Sequence, residues 1–374
     1  MRVTEMNAVR LLPKSIADIF KLSGKKHLVI TGSISSGKTT LAKACAEILC
    51  GEDKESITTY AEPKKCVFFE SSLGDKFIAA EYDKNAAGEK CKMKAVPFAF
   101  SEKGVNVIKK CIKSDKKWVV IDEIGYVESG VVEYETALKN LFSKKRVIAV
   151  VRKQDTPFSA QILNMADAFV YDLDKPVKNI CCAVMASGQS KRYGKENKLL
   201  ADFCGSPLVS FALKTAKNQV FSDCFAVTVH REIAELCERN DMKYILHSFE
   251  KKSDAIKLAV KEGRDFDGIM FLNSDQPLVS RESIEKLVLA FSNFDDCIVR
   301  LGYGEIESSP VIFPKSVYET LLNLPENERG IYAVQNSGLK TVLVTSENEL
   351  EIFDVDSKDD LQTLSNAVKK SDLI

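Results

Sequence analysis

Short apolar runs alternate with longer amphipathic stretches along almost the whole chain. The runs at 27–31, 118–121, 146–151, 180–185, 225–229, 268–272, 297–301 and 310–313 predict buried strands, being too short for helices and lacking a helical period. The segments between them read as helices. After Lys38, for example, Leu41, Ala44, Cys45, Ile48 and Leu49 recur at helical spacing and predict an amphipathic helix. Towards the end, the spacing places Asp354 and Asp356 on one face of a last strand, because strand residues two apart share a face, with a helix over 357–368 after it. Strands and helices in alternation argue for βαβ units and mostly parallel sheets.

The charged, proline-containing stretch YDLDKPVK at 171–178 separates two segments, each of which opens with a strand and a small-residue turn. It divides the chain into 1–175 and 176–374, two ordinary domain sizes. The segment 84–94, KNAAGEKCKMK, reads as a basic loop of the first domain. No short-period repeat or low-complexity tract is present.

Composition narrows the partners. Lys+Arg and Asp+Glu are equal at 53 each, so there is no excess of cations to neutralise a polyanion, and neither nucleic acid nor an anionic membrane is expected. No apolar run approaches the ~18–20 residues of a membrane helix. The 11 cysteines form no CxxC pair and the polar N-terminal segment has no secretory pattern, which fits reduced thiols and a cytoplasmic protein. Cys181 and Cys182 lie within an apolar run, where they read as small strand hydrophobes.

Two places carry candidate chemistry. In the first domain, GSISSGKTT fits GxxxxGK[ST] between a strand and a helix. Gly32 and Gly37 let the backbone curl so that N–H groups, with those of Ser36 and Thr40, face phosphates; Lys38 neutralises phosphate charge and Thr39 offers a hydroxyl to Mg²⁺. A glycine turn capping an ordinary helix is the alternative. Later, WVVIDEIG ends a buried strand in Asp122 and Glu123, setting one carboxylate where it can hold the metal's water shell and the other where it can orient or deprotonate an attacking water.

In the second domain a strand runs into Ala186, Ser187 and Gly188, followed by the cations Lys191, Arg192, Lys195 and Lys198. Small residues permit close backbone approach to a triphosphate, and fixed cations can cancel charge on a leaving pyrophosphate. A basic surface loop would look the same by composition. Another apolar run, in GIMFLNSDQPLVS, ends in Asp275, which can ligate Mg²⁺ bridging an α-phosphate and its attacker. Asp354 or Asp356 could complete that metal site, or serve as a helix N-cap.

GSISSGKTTL, WVVIDEIGYVE and RVIAVVRK together resemble the THEP family of small P-loop nucleoside-triphosphatases. The resemblance implies hydrolysis of NTPs such as ATP or GTP, with Lys38 and Thr39 at the phosphates, Asp122 on Mg²⁺, Glu123 as base and Arg152 at a phosphate. A solvated strand-end arginine is the other reading of Arg152. The loop ASGQSKRYGKENKLL, the segment DQPLVS, SPVIFP and the closing FDVDSKDDL are similar to MobA-like NTP transferases, and within them to the molybdenum cofactor cytidylyltransferases. That resemblance implies transfer from CTP, or another NTP, to a molybdopterin-type cofactor, with Gly188 and the loop backbone on the triphosphate, Arg192 and Lys198 on phosphates, Asp275 on Mg²⁺ and a molybdoenzyme as client. None of the three histidines falls in either loop.

The expected fold is therefore α/β in two domains: a P-loop NTPase parallel sheet, then a Rossmann-like, GT-A-like nucleotidyltransferase mixed sheet. Two other functional readings stay open. The first domain could be a nucleotide-switched adaptor for cofactor delivery, or the transferase could act on a sugar or alcohol phosphate.

Overall fold

An apolar run becomes a central strand when both of its faces can be covered, and both halves of this chain use that arrangement. The computed structural model describes residues 10–62, 65–83, 93–153, 156–175, 177–188, 192–194, 196–249, 251–326 and 328–371. The chain divides into two units, Met1–Pro176 and Val177–Ile374.

The first unit contains one eight-stranded sheet. Its strands are β1 (His27–Thr31), β2 (Lys54–Glu62), β3 (Cys66–Ser71), β4 (Lys76–Tyr82), β5 (Met93–Ala95), β6 (Trp118–Ile124), β7 (Arg146–Val151) and β8 (Ala168–Asp172), in the spatial order β5-β4-β3-β2-β6-β7-β1-β8. From β2 to β8 all neighbours are parallel. Alternation sorts their side chains: Val29, Ile57, Val119, Ile121, Val147 and Ala149 share a core with helices Val105–Lys113 and Val132–Lys144. Helix Lys38–Leu49 packs on β6 and β7 and against helix Pro13–Leu22, whose Phe20 meets Trp118 edge-on at 6.2 Å.

The parallel sheet is extended by antiparallel β3, β4 and β5, which the apolar-run pattern misses. Strands β3 and β4 each hold a four-residue apolar run, CVFF and FIAA, bounded by charged residues and with exposed positions such as Glu70, Lys76 and Ile78. The break at 171–178 starts later than expected, since Tyr171 and Asp172 belong to β8 and pair with Ile30 and Thr31. An edge strand tolerates charges that a central one would not. The basic segment lies largely outside the described residues, but its Met93 and Lys94 are in β5. Within helix Lys38–Leu49 the buried apolar residues are Ala42, Cys45 and Ala46, while Ile48 is 41% exposed.

The second unit holds a seven-stranded mixed sheet. After β9 (Ile180–Ala186) and a small hairpin of β10 (Asp202–Phe203) and β11 (Ser206–Pro207) come β12 (Asp223–Thr228), β13 (Lys243–Leu246), β14 (Gly268–Asn273), β15 (Ile298–Tyr303), β16 (Ile306–Pro314) and β17 (Thr341–Thr345). The order is β13-β12-β9-β14-β16-β15-β17, with β16 antiparallel to both neighbours. On one face Cys181, Ala183, Phe225, Val227, Ile269 and Phe271 pack with helix Lys252–Glu262; helices Val209–Ala216 and Arg281–Asn293 contact the sheet as well. Cys181 and Cys182 are fully buried, and burial pushes the Cys181 thiol up to about 12, so both behave as packing residues.

Asp354 and Asp356 are not on a strand, contrary to the spacing argument. They lie in an irregular segment between a 3₁₀ turn, Glu349–Ile352, and helix Lys358–Ser371. That segment is tied to the end of β14 by Val355 N donating to Asp275 O at 3.0 Å. Nor is either aspartate the helix cap: Asp360 N donates to Ser357 Oγ, while Asp360 Oδ2 accepts from Ser357 N, a reciprocal capping box. Among the described residues no helix is long and apolar enough to cross a membrane.

Candidate functional site

In the first unit the loop leaves β1 at Gly32, whose φ of +152° and crowding against Ser36 Oγ leave no room for a side chain. Gly37, at φ +95°, turns the chain into the helix beginning at Lys38. Lys38 is buried and donates to Gly32 O at 3.1 Å and to Ser33 O at 2.6 Å, so its ammonium spans the loop's own carbonyls. Thr39 Oγ1 donates to Asp122 Oδ1 at 3.0 Å. These are two hard oxygen donors side by side, as a small divalent cation requires. Burial, partly offset by Thr39, raises the Asp122 carboxyl above its ordinary range, and a cation there would relieve that cost.

A cavity of about 270 Å³ opens over this loop, lined by Ser35, Ser36, Gly37, Lys38, Thr39, Glu123 and Arg152, with Ile34 at its rim. Ser36 Oγ is buried without a hydrogen-bond partner among the described residues. Thr40 is exposed and is not among the lining residues. Arg152 Nε and Nη2 donate to the two oxygens of Glu123 at 3.1 and 2.8 Å, so the expected base and the expected phosphate ligand hold each other.

Two supports of this site escape the sequence reading. Asp174, inside the stretch read as a domain break, accepts from Ser33 N at 3.0 Å and from Ser33 Oγ at 2.8 Å. Lys153, 2.6 Å away, is the main reason its carboxyl is drawn down to about 2. The second is Glu128, buried in the turn after β6 and accepting from Gly125 N.

Burial pushes the Glu128 carboxyl from 4.5 to about 7, with the nearby negative charge of Glu123 adding to the effect. A carboxyl with a raised folded pKa holds its proton better when folded, so it costs stability as pH rises through that window and no more above it. Glu128→Gln, always neutral, is expected to melt with wild type near pH 4 and higher than wild type at pH 8, by an amount equivalent to about 3 kcal/mol. Melting curves of the two proteins across pH measure this; a gap independent of pH would refute the assignment.

In the second unit, β9 and β14 are parallel neighbours at the centre of the sheet, with Met185 opposite Asn273. Their carboxyl ends therefore place the loop after Ala186 beside Asp275. Lys198 Nζ lies in the middle, 2.8 Å from Asp275 Oδ2, 2.8 Å from Val355 O and 3.1 Å from Asp356 Oδ1. Burial alone would lower this ammonium, yet Asp275 and Asp356 hold it above its ordinary value. Arg192 Nη2 reaches the other oxygen of Asp356 at 2.9 Å.

Asp354 is pushed up to about 6, first by burial and then by the charges of Asp275 and Asp356. Asp275 and Asp356 thus meet at Lys198, with Asp354 near enough for their charges to act on it, and carboxylate oxygens of this kind suit a hard divalent cation. Lys191 and Lys195 lie outside the described residues. Two histidines that seemed remote from the loop in sequence reach it in space: His247 Nε2 is 2.8 Å from Ser187 Oγ, and His230 Nε2 is 2.9 Å from Gly188 O. His230 follows β12, the neighbour of β9, and His247 follows β13, one strand further out, a proximity that only the strand order reveals.

Comparison with known proteins follows the same division. The NTPase family matches residues 27–184, and the MobA-like NTP transferase domain family matches residues 182–342. The nucleoside-triphosphatase THEP1 of Thermotoga maritima is 26% identical over 155 residues, 41% of this chain and 88% of that protein. The bifunctional protein GlmU of a Sulfurovum species is 24% identical over 186 residues, 46% of this chain and 43% of that protein. Among solved structures, a nucleotidyl transferase from Methanothermobacter thermautotroptrophicus is 18% identical with a TM-score of 0.47, covering 52% of this chain and 99% of its own. In this order along one chain, the protein fuses a THEP1-like NTPase domain to a MobA-like NTP transferase domain.

Proposed function

We propose that the transferase unit moves a cytidylyl group from CTP to a molybdopterin-type cofactor and releases pyrophosphate, while the first unit hydrolyses nucleoside triphosphates such as ATP or GTP. The observation that carries the transferase reading is the meeting of Lys198 with Asp275 and Asp356. These residues sit in NKLL, DQPLVS and FDVDSKDDL, three of the segments that carry the resemblance to cytidylyltransferases.

The acceptor's terminal phosphate oxygen attacks the α-phosphorus of CTP in line, and the bond to the pyrophosphate oxygen breaks. Backbone at Ala186, Ser187 and Gly188 holds the triphosphate, while Arg192 and Lys198 stabilise the charge that spreads onto the leaving group. Asp275, Asp354 and Asp356 are the residues that would hold Mg²⁺, which supplies electrostatic stabilisation and a template for the phosphates. No protein nucleophile is needed.

In the first unit, Lys38 and the backbone around Ser36, Gly37 and Thr40 bind the β- and γ-phosphates, Thr39 and Asp122 are the metal ligands, and Glu123 orients water. Its bidentate pairing with Arg152 occupies both carboxylate oxygens of Glu123 until a γ-phosphate draws the guanidinium away. That pairing also favours the second reading, a nucleotide-switched adaptor with slow turnover, and steady-state phosphate release from ATP and GTP at background rate would decide for it.

The test of the transferase reading is pyrophosphate release by the full chain from CTP with molybdopterin, compared with GTP and with a sugar phosphate as acceptor. Release with CTP and molybdopterin alone is the expected result. Release only with the sugar phosphate would replace the acceptor.

A further inference from the structure

Each residue of the transferase loop is gripped by the end of β12 or by the chain just after it. Thr228 Oγ1 donates to Ala186 O at 3.0 Å, Ser187 Oγ donates to Val227 O at 3.0 Å, and His230 Nε2 lies 2.9 Å from Gly188 O. Because the peptide plane sets C=O and N–H in opposite directions, fixing Ala186 O towards Thr228 turns Ser187 N–H away from β12 and holds that peptide in one orientation.

The contact of Ser187 with His247 has a defined polarity. Ser187 has one hydroxyl proton and gives it to Val227 O, so the 2.8 Å contact to His247 Nε2 needs its proton from the imidazole. On the other side of the ring, His247 Nδ1 accepts from Phe249 N at 3.2 Å and has no place for a proton. His247 is thereby fixed as the neutral Nε2–H tautomer. Burial favours the same uncharged form. The Phe249 ring, stacked on the imidazole at 5.7 Å, restrains its orientation.

We propose that His247 is a positioning residue of the transferase: its Nε2–H locks Ser187, and with it the peptide whose N–H receives the triphosphate. The inference rests on reading the segment from Ala186 to Gly188 as the triphosphate loop. His247 does not touch the reacting atoms; it acts through Ser187.

The test measures Mg²⁺–CTP binding by calorimetry, in the full chain carrying Lys38→Ala so that the first unit's own nucleotide site is silent. His247→Ala and Ser187→Ala are each expected to weaken CTP about tenfold, the scale of one net hydrogen bond, with the double variant no weaker than the worse single one. His247→Gln, which keeps an N–H donor near the ε position, is expected to recover most of the affinity. Losses that multiply to about a hundredfold in the double variant, a Gln variant no better than Ala, or an unchanged affinity would each overturn the proposal. If the Lys38→Ala chain binds neither CTP nor another NTP, the transferase reading itself fails and this inference falls with it. Phosphate release by the same substitutions in a chain with Lys38 intact is expected to equal wild type.

Discussion

Asp275→Asn is expected to lower pyrophosphate release from CTP and acceptor by roughly 10²–10³-fold, the scale of losing one preorganised electrostatic partner of the transition state, while NTP hydrolysis in the same preparation stays at the wild-type rate. The substitution keeps the shape of the side chain and an oxygen that can still accept from Lys198, whose Nζ retains Val355 O and Asp356. Folding is therefore spared, and what is lost is one negative charge from the cluster that would hold the divalent cation. A second observable comes from the same cluster. Asp354 stands at about 6 partly because Asp275 is charged, so its carboxyl is expected to titrate lower in the variant. Carbon-detected NMR of the aspartate carboxyls reads that shift. Undiminished pyrophosphate release would remove Asp275 from the site, and parallel loss of NTP hydrolysis would show that the two units are coupled.

The central strands of both sheets are legible in the sequence because burial on two faces demands continuous apolar runs, and the strands β1, β6, β9 and β14 all have them. Loop chemistry is legible for a related reason: a phosphate-type loop needs Gly32 and Gly37 at particular places, and few other sequences satisfy the spacing. Strands β3 and β4 escape although each holds four consecutive apolar residues, because charged residues bound those runs closely, and β5 is only three residues long. The irregular segment holding Asp354 and Asp356 escapes differently. Two residues apart suggests a strand, but Val355 pairs with the backbone of Asp275 instead of with a sheet neighbour. Hardest to see are the residues that support the sites from a distance in sequence. Asp174 is 141 positions from Ser33 and His247 is 60 from Ser187, separations with no local period to mark them. Their roles depend on strand order, in which β8 flanks β1 and β12 lies between β9 and β13.

Lys38→Ala is expected to reduce NTP hydrolysis by roughly 10²–10³-fold and to leave CTP-dependent pyrophosphate release untouched. The lysine is buried against Gly32 O and Ser33 O, and its charge lies over the loop whose N–H groups would meet the β- and γ-phosphates. Removing it deletes the fixed cation of the cavity that Arg152, engaged with Glu123, does not replace. The loop itself is expected to survive, because Asp174 still holds Ser33 through two hydrogen bonds and the strained turn is carried by Gly32 and Gly37. The loss should therefore fall on phosphate affinity and turnover, with little change in melting temperature. Phosphate release from ATP and GTP, measured beside pyrophosphate release from CTP, separates the outcomes. Hydrolysis that persists at the wild-type rate would place the nucleotide elsewhere in the first unit. Equal loss of both activities would mean that the first unit's nucleotide state controls the transferase, and the two sites would then be one regulated enzyme instead of two independent ones.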